Sequence, residues 1–193
     1  MAEFTKITEA LAATITATLE LSDEANVLLG ETMTPADYLQ QLMDNALYND
    51  AINFLANALP KREAVWWACV CAKQTLNDKS PASDVKAVEL AEAWVYKPVQ
   101  EVCEPNYAAA EATEFKTPAG WAAISAFWSG ENISPSKEAI VPPPEGLTGK
   151  AVNGAVILAA VQEEDPKIIT ANYQLFLAKG VDVACGGDGR QEQ

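Results

Sequence analysis

The sequence predicts an all-α fold: an irregular array or compact bundle of about seven to eight antiparallel helices. Two observations carry that prediction. Apolar residues recur three and four apart almost everywhere rather than in alternation. Thr-Pro pairs at Thr34-Pro35 and Thr117-Pro118 have the pattern of helix starts, a capping hydroxyl followed by a proline at the first helical position. With 49% hydrophobic residues in a chain of 193, there is apolar material for one core, so residues 1–185 are expected to form a single domain.

Taken in order, Phe4, Ile7, Leu11, Ile15 and Leu19 line one helical face, which predicts a loosely attached first helix within 1–20 that its β-branched threonines weaken. A short turn over 23–29 ends at Gly30, and Thr34-Pro35 then opens a helix to about residue 47 with the stripe Tyr38, Leu39, Leu42, Met43 and Ala46. Helices over 50–58 and 60–76 follow, the second with Pro60 at a first helical position. The next spans 81–96 and stops before Pro98. One more falls within 99–115. Thr117-Pro118 opens another, where Trp121, Ile124 and Trp128 share a face before Gly130. Residues 131–147 hold four prolines and read as an extended connecting segment. Two helices finish the fold, over 149–161 and from 165 or 166 to 179, with Gly180 as the C-terminal cap of the second. Residues 186–193, GGDGRQEQ, read as a flexible tail.

Composition narrows the chemistry. There is no histidine, which removes the commonest general base near neutral pH and the usual nitrogen ligand for metals. Residues 1–19 make a poor signal peptide, because acids and threonines interrupt the apolar residues. The longest apolar run is Ala64 to Ala72, far below the roughly 18 residues of a membrane span. A cytoplasmic protein is therefore expected, with Cys69, Cys71, Cys103 and Cys185 as reduced thiols. The net charge of −14 repels nucleic acid and anionic membranes and favours solubility or a basic protein partner. It is uneven, since residues 1–58 carry nine acids against Lys6 alone.

The stretch LPKREAVWWACVCAK, residues 59–73, is the most specific in the chain. Helical neighbours two apart point about 200° away from each other, so Cys69 and Cys71 cannot share a metal or a disulfide without breaking the helix. They read as small core residues on a helix buried on nearly all sides. Ala64, Ala68 and Ala72 form a small-residue ridge for close helix approach, and Trp67 with Cys71 lies on a bulkier face. The remaining stripe, Arg62, Trp66, Val70 and Lys73, is read as reaching the surface through its basic ends, and Arg62, Trp66 and Lys73 are the candidate partner-binding set. Its i, i+4 spacing lets the Arg62 guanidinium lie over the Trp66 ring. Lys61 and Arg62 oppose the helix dipole and need compensation from Glu63 or another carboxylate, so an internal acid, or failing that a partner, is expected to hold Arg62.

Other motifs are weaker. The Gly149-Lys150 pair of a phosphate loop has Pro144 in place of its first Gly and Ala151 in place of its Ser or Thr. The carboxylate pairs Glu89/Glu92, Glu101/Glu104 and Glu111/Glu114 lack the histidines of a di-iron bundle. Gly186 to Arg190 could cradle an anion through its backbone amides. No catalytic, cofactor or metal residues are assigned.

The segments LPKREAVWWACVCAK, TPAGWAAISAFWSG and VPPPEGLTGKAVNGAVILAAV together resemble an uncharacterised bacterial family whose members occur near type VI secretion genes. The resemblance runs from about residue 19 to 187. It implies a non-enzymatic cytoplasmic adaptor or chaperone-like accessory protein whose partner is a secretion effector or spike component; no cofactor is expected, and charge and hydropathy argue against a nucleic acid or membrane partner. An immunity protein neutralising a basic toxin is the alternative reading. An enzyme of unknown type is the third.

Overall fold

The computed structural model describes residues 4–134 and 139–190, and every regular element within them is a helix. In order these are α1 (Ala12–Thr16), α2 (Asp23–Leu28), α3 (Pro35–Asp44), α4 (Tyr48–Ala58), α5 (Lys61–Gln74) and α6 (Ala82–Tyr96). They continue as α7 (Gln100–Cys103), α8 (Pro105–Ala112), α9 (Pro118–Trp128), α10 (Leu147–Ala160) and α11 (Pro166–Ala184). Hydroxyl caps open several of them as the sequence predicts: Thr34 Oγ1 accepts from the Asp37 amide at 3.2 Å and Thr117 Oγ1 from the Gly120 amide at 3.1 Å.

Helices α5, α9 and α10 form the centre. α10 lies against α4, α5, α9 and α11, while α5 also meets α6, α9 and α11. The reason is the apolar run itself, because every residue from Ala64 to Ala72 except Trp66 is buried. Trp67 locks α5 to α11: its indole Nε1 donates to the Phe176 carbonyl at 2.8 Å. One turn further along α11 lies Gly180, where a Cβ would stand 2.7 Å from both Trp67 and Leu55. Gly180 therefore serves close helix approach and does not cap α11, which runs on to Ala184.

Helix ends account for most departures from the expected boundaries. The C-terminus of α11 closes at Gly186, with φ 95°, through bonds from the Gly186 amide to the Val183 carbonyl and from the Gly187 amide to the Asp182 carbonyl. The same double bond ends α3 at Ala46 and α8 at Glu114, each with φ 55°, although neither is a glycine. The single helix expected within 99–115 is two, α7 and α8, because Pro105 has no amide to continue the ladder. Pro60 is an N-cap, one position before its expected place.

The expected first helix shrinks to the five residues of α1. Before it residues 4–11 form a strap without regular structure, whose Lys6 amide donates to the Ala184 carbonyl at 2.9 Å and which buries Ile7. In the Pro-rich segment, residues 135–138 lie outside the described residues. Asn132 closes the base of that loop by accepting from the Ser134 and Val141 amides at 3.0 and 2.8 Å. Among the described residues, no helix is long and apolar enough to cross a membrane.

Candidate functional site

The candidate residues Arg62 and Trp66 line one open groove, with a cavity volume of about 310 Å³. Four parts of the chain meet there: the strap at Lys6, the first turns of α5, the end of α6 at Tyr96, and residues 186–190 beyond α11. Lys73, at the other end of α5, lies outside it. Its ammonium binds both oxygens of Glu92 at 2.7 Å.

Trp66 is half-buried and held on several sides. Its indole Nε1 donates to the Asp188 carbonyl at 2.8 Å, and the Tyr96 ring meets it edge-on at 6.0 Å. The cation over its face is Arg190, whose guanidinium carbon lies 4.5 Å from the ring centroid. Arg190 also reaches Glu92 at 3.7 Å and the Tyr96 hydroxyl at 3.5 Å. The expected stacking of Arg62 on Trp66 is thus corrected. Arg62 turns instead to α6 and donates its Nε to the Val95 carbonyl at 2.8 Å. Its holder belongs to the chain itself, a backbone carbonyl rather than a carboxylate, and Arg62 makes no ion pair among the described residues.

Sequence reasoning missed Lys6, Tyr96, Asp188 and Arg190. The last two lie in the expected flexible tail, of which residues 191–193 are outside the described residues, but 186–190 fold back along α11. Asp182 receives the Gly187 amide on its carbonyl and the Gly189 amide on its carboxylate, both at 2.8 Å. Buried Lys179 donates to the Gly189 carbonyl at 3.2 Å. The glycine amides that could have cradled an external anion are therefore occupied internally. The one legible signal is Asp182 close before a Gly-rich turn.

The other reactive groups are sequestered. Cys69, Cys71 and Cys103 are fully buried, and burial pushes all three thiols up, Cys103 to about 11. Cys103 Sγ also donates toward the Ala126 and Phe127 carbonyls at 3.1 and 3.0 Å. Such thiols stay protonated at neutral pH and are poor nucleophiles. The Tyr38 hydroxyl, raised by burial, donates to the Ala25 carbonyl at 2.9 Å. What the groove offers is recognition: three cationic side chains (Lys6, Arg62, Arg190) against two acidic ones, beside an aromatic pair, on a chain of net charge −14.

Neither the curated proteins nor the solved structures contain a match to this chain. A family model does match, over residues 38–184, a span that begins later than the resemblance suggests. It takes in the Arg62, Trp66 and Tyr96 side of the groove and leaves out Lys6, Asp188 and Arg190. By that match, most of the chain in length, the protein belongs to the family of unknown function DUF6931.

Proposed function

We propose that this protein is a non-catalytic accessory factor that works by holding a protein partner, and that the Trp66 groove is where it does so. The observation that carries this reading is a local gathering of cations around an aromatic pair. An acidic chain gathers Lys6, Arg62 and Arg190 from distant parts of its sequence around Trp66 and Tyr96. Tryptophan, tyrosine and arginine are the side chains that supply most binding energy at protein interfaces. The finer reading is a cytoplasmic adaptor or chaperone-like factor that loads a type VI secretion effector or spike component. It is supported by the resemblance of the segments around Trp66, Trp121 and Gly149 to a family found near such genes.

The test begins with capture of a partner by the tagged protein and continues with both components purified. Arg62→Glu and Trp66→Ala are each expected to weaken the purified complex by about 2 kcal/mol or more while leaving the protein folded. Wild-type affinity in both variants would place the interface elsewhere. The immunity reading has its own support, the nine acids and single base of residues 1–58. It requires a basic partner whose binding tightens strongly at low salt and ignores both groove variants.

A further inference from the structure

We propose that the Trp66 groove captures the C-terminal carboxylate of a partner chain, with an apolar last side chain set against Trp66 and Tyr96; this rests on reading the groove as the partner site. Arg62 is the receiving group. Its Nε is committed to the Val95 carbonyl, which fixes the guanidinium, while its two terminal nitrogens make no bond among the described residues. A planar guanidinium held by one nitrogen and open along its other edge fits a carboxylate with two parallel hydrogen bonds. Lys6 lines the same groove as a second donor, its ammonium 3.9 Å from Glu63 and its side chain 43% exposed.

Electrostatics favours the same ligand. Arg62 occupies the first turn of α5, where Pro60 provides no side-chain cap, the positive end of the helix dipole repels a cation, and the acid of that turn, Glu63, faces Lys6 at 3.9 Å. A carboxylate there relieves that repulsion. A polyanion is opposed by the net charge of −14, whereas a single carboxylate meets little of that field at physiological salt, where the screening length is about 8 Å. The cavity, about 310 Å³, is at the small end of binding clefts. That is room enough for the last residue of a chain. The exposed ring of Tyr96, edge-on to Trp66 at 6.0 Å, supplies the apolar wall.

The experiment is fluorescence anisotropy with three labelled hexapeptides on the full chain. One ends in Leu-Phe with a free carboxylate, one is its C-terminal amide, and one is the amide carrying an internal Glu. The free acid is expected to bind with Kd below about 0.1 mM and the plain amide at least about tenfold more weakly. Arg62→Gln should weaken the free acid by about tenfold while lowering the melting temperature by no more than the few degrees that loss of its bond to the Val95 carbonyl explains, and Lys116→Gln, far along the chain and paired with Glu114, should bind as wild type. Should Arg62→Gln fold poorly, Arg62→Lys keeps the charge, loses the two-pronged edge and is expected to show part of the same loss. Equal binding of acid and amide, equal binding of the Glu-containing amide, or no binding of the free acid near 1 mM would each overturn the proposal. If the free acid does not bind but Arg62→Glu still breaks the purified partner complex, the partner-binding reading stands and the carboxylate assignment alone falls.

Discussion

At Arg62 the chain places a cation against a helix dipole and holds it with a carbonyl, so its removal leaves no buried acid unpaired. Arg62→Ala is therefore expected to cost no more than about 1.5 kcal/mol in urea unfolding, the low end for a hydrogen bond from a charged group, because the side chain is exposed to solvent. A loss of several kcal/mol would mean that Arg62 carries structure this geometry does not contain. The thiols make a second case. Cys69, Cys71 and Cys103 should resist a thiol reagent in the native protein, with half-buried Cys185 reacting first, as followed by mass spectrometry. Burial raises their folded-state pKa above the ordinary value near 9. The folded chain then holds protons that the unfolded chain has released. Their contribution to stability is complete below pH 9 and is lost as pH rises, through about 11 for Cys103. Unfolding free energy should accordingly fall between pH 9 and 11, and a flat profile there would contradict the buried thiols.

Among the elements, the contact of α5 with α11 is the one most sensitive to substitution. Truncating Trp67 to Ala removes a fully buried ring and its bond to the Phe176 carbonyl, at an expected cost of about 3 to 5 kcal/mol. Gly180→Ala is a sharper test, because alanine favours a helix by up to about 1 kcal/mol over glycine. Here the new methyl would press on Trp67 and Leu55, and overpacking costs about 1 to 3 kcal/mol, so a net loss of stability is expected. Stabilisation would mean that the two helices stand further apart. The opposite sign is expected at the end of α3. Ala46 holds φ 55°, which disfavours a side chain, and Ala46→Gly should raise the unfolding free energy by about 0.5 to 1 kcal/mol.

For the molecule as a whole, a net charge of −14 opposes compaction through self-repulsion. Adding salt from about 0.01 to 0.15 M shortens the screening length from about 30 to 8 Å, and the melting temperature should rise over that range. A falling melting temperature would mean that favourable ion pairs such as Lys73 to Glu92 outweigh the repulsion.

How much of this was legible in the sequence follows from the range of the interactions concerned. Local spacing and capping chemistry determined the all-α class, the starts of α3 and α9, the central place of α5 and the burial of Cys69 and Cys71. Those features depend on residues within a turn or two of each other, where the helical period and a hydroxyl cap act directly. The ends of α3 and α8 were hidden because Ala46 and Glu114 carry a left-handed backbone that local preference assigns to glycine. Gly180 misled in the other direction, since only the presence of Trp67 and Leu55 above it explains why that position lacks a side chain. The groove was half legible. Arg62 and Trp66 are four apart and could be paired on paper, but the cation that covers Trp66 is Arg190, which the indole reaches through Asp188 across 122 positions of chain. Lys6 arrives from the opposite end. Spacing along a sequence sets which residues share a helix face, whereas docking of the strap and the folded-back tail onto α5 and α11 decided which charges meet around Trp66, because contacts so distant along the chain exist only once the core has packed.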